Sequence, residues 1–343
     1  MRRSLMNEDI HVLITGAAGM IGQKLIARLA REPRLGGRPI GRVSLVDVVE
    51  PAAPKNTPFK ITKRTGDLSL PGEASAAVAD SPEYVFHLAG VVSGEAETDF
   101  DKGYRVNVDG TRYLFEGIRQ RGHKPRVVFT SSAAVYGGPF DGPVRDDFHL
   151  TPHSSYGVAK AIGEQLLADY SRRGFFDGIG IRLPAITVRP GKPNKAASGF
   201  FSSVIREPLA GENAMLPVPE DTLHSHASPR AAIGYLLHAA TLDLSKLEQR
   251  PNLMMPAVAC TIAEQIEALR KVGGEAAVSR IQRVRDTLIE RIVAGWPHAF
   301  EADRALALGF VPDRDFDEIV AIHVEDELDG NSPAKLQDRP LQN

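Results

Sequence analysis

The feature that most restricts how this 343-residue chain can fold is a change of hydrophobic period that repeats through its first half. Short, nearly continuous apolar runs stand at 10–15, 43–47, 84–88, 126–130 and 178–183. Between them lie segments of helical period at 20–31, 73–79, 104–121 and 154–173. In the third of these, Tyr104, Val108, Phe115 and Ile118 recur at helical spacing while Arg112, Glu116 and Arg119 face elsewhere. Runs that are apolar throughout are the mark of strands buried on both faces. Strands alternating with helices predict an α/β fold, a doubly wound parallel sheet of Rossmann type.

After about Pro184 the texture changes. Prolines at 184, 190, 193, 208, 217, 219 and 229 punctuate long loops, with helical patches at 200–206, 229–242 and 262–272. This predicts a smaller C-terminal α+β lobe over the carboxyl edge of the sheet, where open α/β folds bind ligands. The expected division is a Rossmann domain at 1–183 and a substrate lobe at 184–330, some of whose segments return to the first domain. A flexible tail is expected at 331–343.

Composition narrows the function. Hydrophobic residues at 43% suffice for a core without metals or staples, and a net charge of -2 gives no general attraction to nucleic acid or anionic membrane. No run approaches the roughly 20 apolar residues of a membrane span. The single cysteine, Cys260, has no internal partner, and residues 1–9 lack an apolar signal core, so a cytoplasmic protein is expected. The ten histidines show no metal-ligand spacing. His224 and His226 share a strand face at best, and His87 reads as a strand-end core residue, so no metal is expected.

Chemistry enters where the first strand meets the first helix, at Thr15-Gly16-Ala17-Ala18-Gly19-Met20-Ile21-Gly22. Gly16 would make a tight turn, Gly19 would let the backbone approach a pyrophosphate, and Gly22 would let helix and strand pack closely. The helix N-terminus would receive the pyrophosphate through free N–H groups and its dipole. Asp47 ends the second strand where an acid accepts hydrogen bonds from the adenosine ribose; it would repel a 2′-phosphate, which favours NAD over NADP. Arg42, just before that strand, is not placed to reverse the preference. Asp67, in Gly66-Asp67-Leu68, could accept from the adenine amino group or simply form a turn.

Tyr156 and Lys160 lie four apart on a predicted helix and share one face, while Ser132 closes the strand before it. Oxidising an alcohol requires a base for its proton, and an unperturbed tyrosine titrates at about 10. Bringing it near neutrality takes about 4 kcal/mol of differential stabilisation, which a nearby lysine ammonium can help supply. Lys160 could also donate to the nicotinamide ribose, and Ser132 could orient the substrate hydroxyl.

The glycine loop, His87-Leu88-Ala89-Gly90, Asn107, Ser131-Ser132 and Tyr156-Gly157-Val158-Ala159-Lys160 resemble, in order and spacing, the extended branch of the short-chain dehydrogenase/reductase superfamily. The likeness runs over nearly the whole chain, to about Leu328. It implies cofactor contacts from Met20, Ile21, Asp47, Asp67, Leu68, Leu88, Ala89, Asn107 and Pro184. It also implies Tyr156 as acid/base, Lys160 as its helper, Ser132 as its hydroxyl partner, and a homodimer joined through the helices at 104–121 and 154–173.

Two departures from the branch bear on the substrate. Its usual Arg-x-x-Asn-x-Tyr-Gly-Pro reads here Arg182-Leu183-Pro184-Ala185-Ile186-Thr187-Val188-Arg189-Pro190, without the asparagine that holds a sugar nucleotide. Ala133 and Ala134 follow Ser132 where sugar dehydratases carry Thr-Asp-Glu. Residues 91–97, 182–194, 205–211 and 292–297 resemble instead a group of the branch that oxidises the C2 hydroxyl of a four-carbon sugar acid with NAD. Such an acid needs a cation or several donors, and the lobe offers Arg189, Lys192, Asn194, Lys195, Arg206 and Arg230. Arg189 and Asn194 are expected to touch the substrate, together with Ser132 and Tyr156. Two other readings stand beside this one: a nucleotide-sugar epimerase that retains its NAD, and a non-catalytic dinucleotide-binding protein, against which the intact Ser132/Tyr156/Lys160 set argues.

Overall fold

The computed structural model describes residues 9–191, 198–328 and 330. The expectations for Lys192, Asn194, Lys195 and the tail at 331–343 lie outside the described residues. The main sheet holds β1 (Ile10–Thr15), β2 (Arg38–Asp47), β3 (Lys60–Thr65), β4 (Tyr84–His87), β5 (Arg126–Ser132), β6 (Asp177–Leu183) and β7 (Asn252–Met254). They lie in the order β3-β2-β1-β4-β5-β6-β7, each parallel to its neighbours. The two-residue strand Arg34–Leu35 runs antiparallel beside β2. The order reverses between β1 and β4, and that switch opens a crevice at the carboxyl edge.

The helices that matter for the site are α1 (Met20–Arg31), α2 (Glu73–Ala77), α3 (Ser93–Thr98), α4 (Phe100–Tyr104), α5 (Gly110–Arg121), α6 (Ser155–Arg172), α7 (Gly199–Leu209), α8 (Pro229–Thr241) and α9 (Ile262–Val278). The sheet is doubly wound because successive strand residues feed opposite cores. Val12, Ile14, Phe86 and Val128 pack with Leu25 and Ile26 of α1 and Ile233 and Leu236 of α8. Leu13, Val85, Val127 and Phe129 pack on the other side with Leu114 and Phe115 of α5 and Leu167 of α6. Each such fully buried side chain contributes about 1.5–3 kcal/mol relative to exposure.

Segments beyond residue 184 divide their loyalty. α8 and β7 join the main sheet, whereas α7, α9 and the helix Phe316–Glu327 enclose a separate core around Phe201, Val204, Ile266, Leu269 and Ile319. A three-stranded sheet of Val258–Thr261, Leu223–Ala227 and Ala185–Ile186 lies in that lobe.

Several boundaries differ from the sequence expectation. β2 starts five residues before its apolar run, so Arg42 sits inside the strand and donates to Asp80 at 2.8 Å. The helix expected at 104–121 is α4, a π-turn at Arg105–Asp109, and then α5. Such turns are concentrated at functional positions, and this one carries Asn107. α9 runs past 272 to Val278, with Gly274 in a non-helical conformation. Among the described residues no helix is long and apolar enough to cross a membrane.

Candidate active site

β1 delivers the chain to Gly16, whose φ of +71° is a left-handed conformation open to glycine. A Cβ there would sit 2.6 Å from Ala89 N, so the loop lies directly against the end of β4. On Gly22 a Cβ would strike Gly16 O at 2.6 Å, because the first turn of α1 folds back onto the loop rather than only onto the strand. Gly19 meets nothing closer than Gly16 O at 3.4 Å and forms the N-cap of α1 with no side-chain acceptor. The first amides of α1, at Met20, Ile21 and Gly22, therefore lack a side-chain cap and suit the pyrophosphate of NAD.

Asp47, at the end of β2, accepts from Ala18 N at 2.8 Å and from Val48 N at 2.7 Å. Its carboxylate thus braces the glycine loop. Asp67 spends Oδ1 on Ser69, accepting from the amide at 2.9 Å and the hydroxyl at 2.6 Å, the turn-forming role that its sequence context also allowed. Leu68 is buried in the core beside Leu13, and Pro184 is buried just past β6. Leu88 and Ala89 follow β4 opposite the glycine loop, with Leu88 N donating to Thr15 O. Asn107 grips the backbone of Val91 at both ends, accepting from its N–H at 2.9 Å and donating to its carbonyl at 3.1 Å. Its side chain braces the segment after β4. A Cβ on the intervening Gly90 would lie 2.9 Å from Asn107 Oδ1 and 3.6 Å from Lys160 Nζ, so glycine keeps that corner open.

Beneath this floor runs a directional chain. His87 Nδ1 meets Thr15 Oγ1 at 2.8 Å, His87 Nε2 meets Thr111 Oγ1 at 3.0 Å, and Thr111 donates to Asn107 O at 2.7 Å. Because Thr111 gives its proton to a carbonyl, His87 must donate through Nε2–H and accept at Nδ1. The ring is neutral, burial having driven its pKa down to about 3. His87 is a core residue as expected, but one that links the glycine loop to the π-turn.

The expected catalytic residues come together from two elements. Ser132 ends β5 and caps the short turn Ala133–Val135, its Oγ accepting from Ala134 N at 3.1 Å. α6 starts under Ser154, which accepts from Gly157 N at 3.1 Å, while Ser155 N donates to Glu97 of α3 at 2.5 Å. The helix approaches the turn closely because residue 157 is glycine: a Cβ there would lie 2.1 Å from Ala134 O. Gly163 does the same against Phe129, where a Cβ would meet the ring at 2.6 Å. Tyr156 and Lys160 consequently sit beside the end of β5. Lys160 Nζ donates to Thr130 O at 2.8 Å and lies 5.0 Å from the Phe129 ring centre and 5.7 Å from that of Tyr156. Burial draws Lys160 down to about 8, opposed by the carboxylate of Glu164 one turn further along.

For Tyr156, burial pushes the phenol up, and a hydrogen bond with Ser132 and the charge of Arg189 pull it down. The sequence reading gave that last part to Lys160. In the structure Lys160 donates to Thr130 O with its ammonium 5.7 Å from the Tyr156 ring centre, and a second positive charge, Arg189, also acts on the phenol from the lobe. Arg189 is held by Nε donating to Ile186 O at 3.1 Å, by its amide donating to Ser202 Oγ at 3.0 Å, and by Arg206 donating to its carbonyl at 2.6 Å. Arg206 therefore supports Arg189. Arg230 pairs with Glu325 and Asp326 on the surface, away from this centre.

Three participants were missed in the sequence. Glu164 is fully buried, accepting from Ser131 Oγ at 2.6 Å and from Arg182 Nε at 2.9 Å, and Arg182 donates to the Tyr136 hydroxyl at 2.6 Å. The available signals were an acid four residues past Lys160 on the sheet-facing side of a helix, and an arginine within an apolar strand.

The NAD dependent epimerase/dehydratase family matches residues 12–225. D-erythronate dehydrogenase of Cupriavidus necator is 49% identical over 321 residues, covering 92% of this chain and 98% of that enzyme. The enzyme of the same name from Haemophilus influenzae is 38% identical, covering 92% and 99%. The crystal structure of a nucleoside-diphosphate-sugar epimerase from Agrobacterium tumefaciens superposes with a TM-score of 0.92 at 55% identity, covering 96% of this chain and 98% of that one.

Proposed function

The chain belongs to the NAD dependent epimerase/dehydratase family and is an NAD-dependent oxidoreductase, and on that premise we propose that it oxidises the C2 hydroxyl of D-erythronate to 2-dehydro-D-erythronate. The observation that carries this reading is the arginine beside the phenol. In a 2-hydroxy acid the carboxylate is bonded to the carbon being oxidised, so its counter-cation must stand next to the base. Arg189 stands there, close enough for its charge to act on Tyr156. A sugar nucleotide carries its phosphates far from the reacting carbon and has no use for a cation in that place. The near full-length likeness to two D-erythronate dehydrogenases supports the same substrate.

In this reading Arg189 grips the carboxylate through its terminal nitrogens. Ser132 orients the C2 hydroxyl, and Tyr156, as phenolate, removes its proton. NAD, when bound, takes up the hydride from C2. Lys160, fixed by Thr130, holds a positive charge beside that exchange and lends a donor toward the nicotinamide ribose. Burial holds the phenol above its ordinary value, and Arg189 and the Ser132 hydrogen bond oppose that rise without overcoming it, which leaves the rest of the lowering to the bound cofactor and substrate. A homodimer along α5 and α6 belongs to the same reading. It is supported by an apolar groove of about 780 Å³ on the outer side of α6, lined by Leu150, Pro152, Val158, Ala161, Ile162 and Leu166.

The test is NADH formation from D-erythronate with wild type and Tyr156→Phe. Loss of a positioned base lowers kcat by about 10²–10⁴, with NAD binding retained. Near wild-type turnover by the variant would sink the mechanism. A second reading, a sugar-nucleotide epimerase, is favoured by what the Agrobacterium tumefaciens structure is called. It requires tightly held NAD, no net NADH from D-erythronate, and conversion of a UDP-hexose.

A further inference from the structure

The groups that meet at the reacting centre ride on two separate pieces of backbone. Ser132 belongs to the end of β5 and the turn that follows, while Tyr156 and Lys160 belong to α6. Something must hold these pieces in register, since an error of about 1 Å at a reacting centre costs orders of magnitude in rate. At the N-terminal end of α6 the close contact between Gly157 and Ala134 does this. A second point of attachment lies two turns further along.

There, Arg182 projects from β6 and is only 5% exposed. Its Nε and one terminal nitrogen donate to the two oxygens of Glu164 at 2.9 and 2.8 Å, a bidentate pair. The other terminal nitrogen donates to the Tyr136 hydroxyl at 2.6 Å and to Asp146 O at 3.1 Å. Glu164 lies on α6 one turn beyond Lys160. Tyr136 closes the turn that Ser132 opens, its amide donating to Ala133 O. Ser131, the neighbour of Ser132, adds its own hydroxyl to Glu164.

We propose that Arg182 is a positioning residue for this centre, one guanidinium holding the Ser132 turn, through Tyr136, in register with the helix that carries Tyr156 and Lys160, through Glu164. This rests on the reading of Ser132, Tyr156 and Lys160 given above. Any buried guanidinium needs partners for the donors its carboxylate leaves over, and hydrophobic replacements of such pairs are often as stable; what is particular here is that one of those partners, Tyr136, stands on the Ser132 turn. Tyr136 is the link that turns a pair into a bridge between the two halves of the site. Glu164 serves the centre in a second way, since its charge favours the protonated form of Lys160.

The test uses Tyr136→Phe in the full-length chain. This removes only the hydroxyl, leaving the ring against Phe148 and Phe300 and the Glu164–Arg182 pair in place. Two readouts are taken: NADH formation from D-erythronate, and the tyrosinate absorbance of Tyr156 in the NAD complex, read as the difference from the matching Tyr156→Phe protein. We expect kcat to fall about tenfold with the KM for NAD unchanged. The Tyr156 titration moves upward as the Ser132 hydrogen bond loosens. In a Ser132→Ala background the same change leaves both readouts unmoved, because the bridge acts through Ser132. A loss of thermal stability with an unmoved titration overturns the proposal, and so does an equal effect in both backgrounds. Failure of the functional reading looks different: wild type then makes no NADH from D-erythronate, while the Tyr156 titration still reports on the bridge.

Discussion

Gly157→Ala asks how tightly α6 must pack against the Ser132 turn. Helix preference favours alanine over glycine by up to about 1 kcal/mol, less in the first turn where Gly157 lies. The tertiary contact opposes it, because the new Cβ would stand 2.1 Å from Ala134 O and 2.8 Å from Pro152 Cβ, against 3.4 Å for ordinary contact. The obstacle is a backbone oxygen, which cannot swing aside as the end of a flexible side chain can. Helix and turn must therefore separate by about 1 Å, a displacement worth about 10²-fold in rate, or about 2.7 kcal/mol of barrier. The assay is steady-state NADH production from D-erythronate beside a titration of NAD binding. The expected result is a kcat about 100-fold lower with a Kd for NAD within about twofold of wild type, because the cofactor loop is remote from the clash. A variant as active as wild type would refute the claim that this contact sets the geometry of the site.

Two further predictions concern protonation. Lys160 titrates at about 8 in the folded protein, against about 10.4 for an unperturbed lysine, so the unfolded chain binds the extra proton between those values. Its burial costs stability below pH 8, by up to about 3 kcal/mol, and the cost fades as pH rises toward 10. Lys160→Met should abolish turnover yet match or exceed wild type in urea midpoint at pH 7.5, with the difference shrinking by pH 10; a variant weaker at every pH contradicts the argument. Burial also depresses His87 to about 3 and His224 and His323 to about 4, with His226 well below its ordinary value. An unfolded histidine charges below about 6.5, so the stability these groups contribute is complete above that pH and is lost as pH falls through 4. Unfolding at pH 5 should take up about four protons, read from the slope of urea stability against pH, and a flat profile between 6.5 and 4.5 would count against it.

Much of the architecture was legible in the sequence because strands buried on both faces, such as β1 and β5, announce themselves by unbroken apolar runs. β3, Lys-Ile-Thr-Lys-Arg-Thr, did not, because it sits at the polar edge of the parallel array with three exposed residues in succession. The start of β2 was missed for the same reason, its early residues being arginine and glycine. The Tyr156/Lys160 pairing follows from helical spacing alone, and their nearness to Ser132 agrees with a serine that closes the preceding strand. What spacing could not show is that a second cation, Arg189, also acts on the phenol. Arg189 is 33 residues from Tyr156 in sequence, and its placement depends on backbone contacts with Ile186 and Ser202 that leave no periodic trace. Likewise Asn107 and His87 announce a site by their positions but not their partners. Those partners are a main-chain amide and two threonines, which any folded protein has in abundance.

The bare end of α1 makes the dinucleotide a structural component as well as a reagent. An anion there would satisfy amides that no side chain caps, so occupancy and stability are thermodynamically linked. With NAD at a hundred times its dissociation constant, the native state gains about 2.7 kcal/mol over the empty one. In a cell, depletion of the nucleotide pool would leave this protein not merely idle but easier to unravel and degrade.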